Sequence, residues 1–172
     1  MSAAICRKAF QYIRCCIKRQ GSRNLAHTFA AGTPRVVLDT NAVLDWLLFA
    51  DIGIQPAASA LEAGQLHWVT CAAMRQELAH MLRHASLARW SPDVATALAH
   101  FDRLADLRPA PESNPHTGLH CRDSDDQVFI NLALGEGARW LLTHDRALLK
   151  LARRAAARGL HIVRPVDWTP QT

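Results

Sequence analysis

The sequence predicts an α/β domain built on a parallel sheet, and two observations carry that prediction. From Arg35 onward, short apolar runs of strand length alternate with segments whose apolar residues recur at helical spacing. Strand–helix–strand alternation of this kind joins parallel neighbours through crossover helices. The length, 172 residues, suits one domain with an ordinary core rather than two.

The elements follow in order. Arg35-Val-Val-Leu-Asp39 reads as a short buried strand, and Asn41 is expected to cap a helix carrying Val43, Leu44, Leu47 and Leu48. Trp46-Leu-Leu-Phe49 reads as core. A second helix follows Pro56, residues 66–70 form the next strand, Cys71 to His84 a helix, and Pro92 to Ala105 another. A polar loop with Pro109, Pro111 and Pro115 leads to Ser124-Asp-Asp-Gln127, which has the form of a capping box and opens a helix ending near Gly135 to Gly137. Residues 139–143 form a strand, Arg146 to Arg158 a helix stopped at Gly159, and residues 160–163 the last strand. There is no internal repeat.

The net charge of +5 divides unevenly along the chain. Residues 1–34 hold Arg7, Lys8, Arg14, Lys18, Arg19 and Arg23 and no acid, whereas residues 35–172 hold 14 basic and 15 acidic residues. The basic first segment is an extension or linker, and residues 35–172 are the domain. On a helical wheel Ile5, Ala9, Tyr12, Ile13, Cys16 and Ile17 share one arc, opposite Arg7, Lys8, Arg14, Lys18 and Arg19. A helix of that kind suits a membrane surface, RNA, an acidic partner or an organellar address; the plainer alternative is a disordered leader, with Gly21 to Thr33 as linker.

Composition removes several classes. No apolar run reaches the roughly 18 to 20 residues of a membrane span, so an integral membrane protein is excluded. Five cysteines, an odd number with no CxxC pair, argue against a disulfide scaffold or zinc ribbon. The tail lacks the continuous apolar core of a secretory signal, which leaves a reducing, cytoplasmic setting as the expectation.

In a parallel sheet, ligands gather at the carboxyl ends of the strands. Two expected strands run into an aspartate there, Asp39 and Asp145. Each alone is also a common turn or cap residue. Glu77 follows Met74 by three residues and precedes Met81 by four, which puts a carboxylate on the apolar face of its helix, where it must meet a cation, a hydrogen-bond partner or a metal. A buried ion pair would satisfy the same demand. Asp123, Asp125 and Asp126 precede a helix whose apolar residues centre between Asp125 and Asp126, so helical phase does not choose between them. Acids at a helix start also simply complement its dipole.

Taken together, Val36-Val-Leu-Asp-Thr-Asn41, Val69-Thr-Cys-Ala-Ala-Met-Arg-Gln-Glu77-Leu, Arg122-Asp-Ser-Asp-Asp126 and Leu142-Thr-His-Asp145-Arg-Ala-Leu resemble, in order, the four motifs of the PIN-domain family of metal-dependent ribonucleases. The resemblance runs from about Arg35 to Asp167 and is strongest to the branch containing toxins of toxin–antitoxin modules. It implies a three-layer α/β/α fold. It further implies Asp39, Glu77, Asp126 and Asp145 as catalytic and metal-binding acids, Asp126 being chosen because Ala133 follows it by seven residues. Asp123 would be an additional acid or organise the turn, and Asn41 and Thr143 would support the site. The resemblance implies Mg²⁺ or Mn²⁺, an RNA substrate, a homodimer and a small antitoxin partner. An all-oxygen donor set agrees with a hard divalent cation. Arg75, Arg122, His144 and Arg146 are candidates for holding phosphates.

Three other readings use the same residues. Glu77, His80 and His84 share a helix and could ligate zinc, although HExxH is absent. A phosphotransferase of the haloacid-dehalogenase type also starts from a strand-end aspartate, but it would want a second one where Asn41 stands. A catalytically inert RNA-binding or partner-binding protein would keep the fold without needing all four acids.

Overall fold

The computed structural model describes residues 32–111 and 118–170. The amphipathic reading of the basic tail falls outside these residues, as does Pro115. The described chain runs β1 (Arg35–Leu38), α1 (Thr40–Leu44), a π-helical turn (Asp45–Phe49), α2 (Gln55–Glu62), β2 (His67–Cys71), α3 (Ala72–Arg83), a 3-10 turn (Ala85–Trp90), α4 (Val94–Leu104) and β3 (Ala105–Arg108). It continues through α5 (Gln127–Gly135), β4 (Trp140–Leu142), α6 (Arg146–Leu149), α7 (Ala152–Ala156), β5 (His161–Val163) and a closing 3-10 turn (Pro165–Asp167).

Five strands pair in the order β3-β2-β1-β4-β5, and every pairing is parallel. Because side chains alternate along a strand, a sheet buried on both faces needs apolar residues at consecutive positions. In β1, Val36 and Leu38 enter a core shared with α1, the π turn, α2 and α4. Val37 enters a second core with α5, α6 and α7. The helix α3 spans both, giving Leu78 and Leu82 to the first and Met74 to the second. These are the three layers expected from the sequence.

The first core is aromatic at its centre: Trp68 lies 4.7 Å from Phe101 and 6.0 Å from Trp46, centroid to centroid. Trp46 also meets the edge of His100 at 5.1 Å. His100 is fully buried, and burial, reinforced by Arg103, lowers its pKa to about 4, so it is neutral at pH 7. Trp46, Leu47 and Leu48 are buried as expected.

Four local expectations are corrected. Asn41 does not cap α1; it is exposed within the first turn, and the cap is Asp39, whose Oδ1 accepts from Ala42 N at 2.7 Å. The capping box at Ser124 does not form. The helix α5 starts at Gln127 without a side-chain cap, because the Gln127 amide is used across the loop: Oε1 accepts from Cys121 N at 2.7 Å, and Nε2 donates to Leu119 O and Asn131 Oδ1. The single helix expected over 146–158 is two short ones, joined where Leu151 N donates to Leu148 O at 2.9 Å. That turn keeps Leu148, Leu151 and Ala155 in one core. Finally, β3 has no counterpart in the expectations, since Ala105-Asp-Leu-Arg108 is an edge strand carrying little apolar signal, paired through its backbone to β2.

Candidate functional site

The chain leaves β1 for β2 and β3 on one side and supplies β4 and β5 on the other, so the strand order reverses between β1 and β4. Parallel sheets open a crevice at such a switch point, beyond the carboxyl ends of the strands. Asp39 stands just past β1 and Asp145 three residues past β4, at the two lips of that crevice.

Both strand-end acids are held by backbone N–H groups. Asp39 is almost wholly buried, 3 % exposed. Its Oδ1 is the α1 cap, while its Oδ2 accepts from the Thr143 hydroxyl and from His144 N at 3.3 Å. Burial raises the Asp39 pKa, and the bonds from Thr143, Ala42 and His144 oppose that rise. Asp145 caps α6, its Oδ1 accepting from Ala147 N at 2.5 Å and Leu148 N at 3.0 Å. Thr143, fully buried, joins the two acids, because the hydroxyl that donates to Asp39 accepts from Asp145 N at 2.9 Å. Thr143 thus ties Asp39 to the loop that carries Asp145, while Asn41 is exposed in the first turn of α1.

Glu77 corrects a further expectation. It is exposed, outside the buried Met74, Leu78 and Leu82 stripe of α3, so it is not an apolar-face carboxylate in need of a core partner. It lies at the rim of the crevice. Partial desolvation raises its pKa against a hydrogen bond from Thr40, and the charges of Asp39 and Asp125 raise it further. Thr40 is a contact that sequence reasoning passed over, although it sits inside the Asp-Thr-Asn motif.

Asp126 is where the acids meet electrostatically. Desolvation first, then Asp145, Asp123, Asp39 and Glu77 in that order, push its pKa up to about 6. Asp126 thus feels the charge of the three other acids of the motif set, while Asp125, which helical phase does not separate from it, acts on Glu77. Asp123 both adds to this charge and organises the turn, its Oδ1 accepting from Asp125 N at 3.1 Å. Among the described residues, no three His, Cys, Asp or Glu side chains are drawn together as a finished metal cage. The donor set is nevertheless all oxygen, and neighbouring acids add to desolvation in raising the proton affinity of Asp126 and of Glu77. A hard divalent cation fits that chemistry.

The expected phosphate contacts separate into two kinds. Arg75 is committed elsewhere, making a two-point pair with Asp102 at 2.6 and 2.7 Å that ties α3 to α4. His144 Nε2 lies 2.5 Å from Asp45 Oδ2. Arg122 and Arg146 are exposed beside Asp123 and Asp145. His84 is also occupied: its Nδ1 accepts from Ser86 N at the start of the 3-10 turn, so the Glu77-His80-His84 zinc reading gains no assembled site. Asp45 was missed by sequence reasoning, and no spacing signal marks it.

A family model described as PIN domain matches residues 35–147, a span that contains all four acids and Thr143. No curated protein matches the chain.

Proposed function

Because the chain belongs to the PIN-domain family, whose members are generally nucleases, we propose that it is a Mg²⁺- or Mn²⁺-dependent endoribonuclease acting at the β1/β4 crevice. The observation that carries this reading is the gathering of Asp39, Glu77, Asp123 and Asp145 around Asp126, whose carboxyl is pushed up to about 6 first by desolvation and then by those four charges. Such repulsion is relieved by a cation.

Asp39, Glu77, Asp126 and Asp145 would hold the ion, with Asp123 adding charge. When bound, a hard divalent cation supplies charge neutralisation for the phosphodiester and activation of the attacking water. The chain's own residues prepare for this. Thr143 and His144 N fix the Asp39 carboxylate, and the α6 N-terminus fixes one oxygen of Asp145 while its Oδ2 accepts from neither amide. Arg122 and Arg146, exposed at the rim, would meet the RNA backbone.

The toxin role, the antitoxin partner and the homodimer belong to the same reading. A small basic partner segment would find the acid-lined crevice complementary.

Cleavage of single-stranded RNA with Mg²⁺ or Mn²⁺, abolished by EDTA, is the direct test. Asp39→Asn should lower the rate by at least about a hundredfold, the scale of losing a preorganised electrostatic contact. Undiminished cleavage by that variant would sink the assignment, and RNA binding with no cleavage under any divalent metal would favour an inert PIN fold.

A further inference from the structure

Asp45 and His144 join two parts of the site that the sequence keeps 99 residues apart. His144 lies between Thr143 and Asp145, in the loop that grips Asp39 and then caps α6. Its ring Nε2–H donates to Asp45 Oδ2 at 2.5 Å, while its backbone N donates to Asp39. Asp45 stands at the other end of α1 from the Asp39 cap, as the first residue of the π turn. That turn anchors its backbone, because the Asp45 carbonyl accepts from Ala50 N and from Asp51 N. Ala50 closes the turn at φ 49, left-handed backbone that an alanine adopts only under constraint. A π turn is an uncommon device that often marks a functional position.

The pair is partly exposed, with side chains 20 % and 43 % accessible. Ion pairs so placed contribute little to stability, so stability does not account for it. We propose that Asp45 and His144 are a positioning pair that holds the Thr143–Asp145 loop against Asp39 and thereby sets the relation of Asp39 to Asp145 for a shared divalent cation. The inference rests on the metal-dependent reading above. The sequence placed His144 among the phosphate contacts; the structure makes its ring a strut between the π turn and the acid-bearing loop. Partners that orient metal-binding carboxylates are costly to lose, roughly tenfold or more in metal affinity.

The test uses the full chain and Asp45→Ala, His144→Ala, their double variant and Asp45→Asn, which keeps the shape and one accepting oxygen. Direct Mn²⁺ titration followed by electron paramagnetic resonance is read beside RNA cleavage. Each alanine variant should weaken Mn²⁺ about tenfold, the double variant should be no worse than the weaker single, and Asp45→Asn should lose less. Excess Mn²⁺ should restore cleavage, since the catalytic acids remain. Additive losses, or unchanged Mn²⁺ affinity with only a lower Tm, would overturn the pair. If the alanine variants do not fold, Asp45→Asn decides, because parent-like Mn²⁺ affinity together with Mn²⁺-independent loss of rate contradicts positioning. A parent that binds no Mn²⁺ and cleaves no RNA overturns the functional reading itself, and the pair's role with it.

Discussion

Asp126 has the clearest electrostatic signature in the crevice, and its raised pKa makes stability depend on pH. Its folded-state pKa, about 6, lies above the ordinary value of 3.8. The protonated carboxyl therefore favours the fold; that contribution is present below about pH 4 and is lost as pH rises through about 6. In EDTA, Asp126→Asn should melt about one to two degrees above the parent at pH 7.5 and level with it at pH 4, the small size reflecting solvent screening at a half-open site. Saturating Mg²⁺ should close the gap by stabilising the parent only. Equal gaps at both pH values would show that the charge of Asp126 is not its cause. The motif order in the sequence pointed to this residue, but its coupling to four other carboxylates exists only once β1, α3, the 123–126 turn and β4 have converged.

At the scale of elements, the same residue types do different work from the pattern's first suggestion. Ser124-Asp-Asp-Gln127 has capping-box spacing, yet Gln127 reaches the 119–121 loop instead, because that loop's Cys121 N–H and Leu119 carbonyl need partners on α5. Gln127→Ala leaves those groups without their partner, which costs about 1 to 3 kcal/mol where they are buried. Urea denaturation should show that loss with the slope unchanged. A smaller effect would mean that the loop finds other partners. Strand β3 and the break between α6 and α7 were illegible for a related reason. A four-residue edge strand is held by backbone pairing to β2, and the break follows the contour of the core under Leu148, Leu151 and Ala155. Neither leaves a period in the sequence. The apolar elements β1, α3 and α4 were legible because consecutive or helically spaced apolar residues are what burial itself requires.

Across the whole molecule, charge and chemistry are segregated. Residues 1–34 carry six basic residues and no acid, while residues 35–172 carry 14 basic and 15 acidic residues, so the net +5 comes from the first segment. Several of those basic groups are already paired: Arg75 with Asp102, Arg108 with Asp106, Arg35 with Glu136 and Arg164 with Asp167. Replacing the six tail cations by Gln should leave saturated cleavage near the parent rate. The salt dependence of RNA binding should become shallower by up to about 4, at roughly 0.7 per phosphate contacted on a single strand. An unchanged slope would show that the tail does not meet RNA. Among the described residues, no helix is long and apolar enough to cross a membrane.

The sequence by itself determined the layered parallel architecture, because a sheet covered on both faces forces apolar runs that alternate with helices, and it determined the order of four acidic motifs. Tertiary structure decided which of those acids share one crevice, that Asp39 rather than Asn41 caps α1, that Glu77 stands at a rim instead of in the core, and that Asp45 reaches His144. These are relations between positions far apart in the chain. Spacing encodes what a residue can do within its own element; only the closure of the sheet brings β1 beside β4 and gives the carboxylates each other as neighbours.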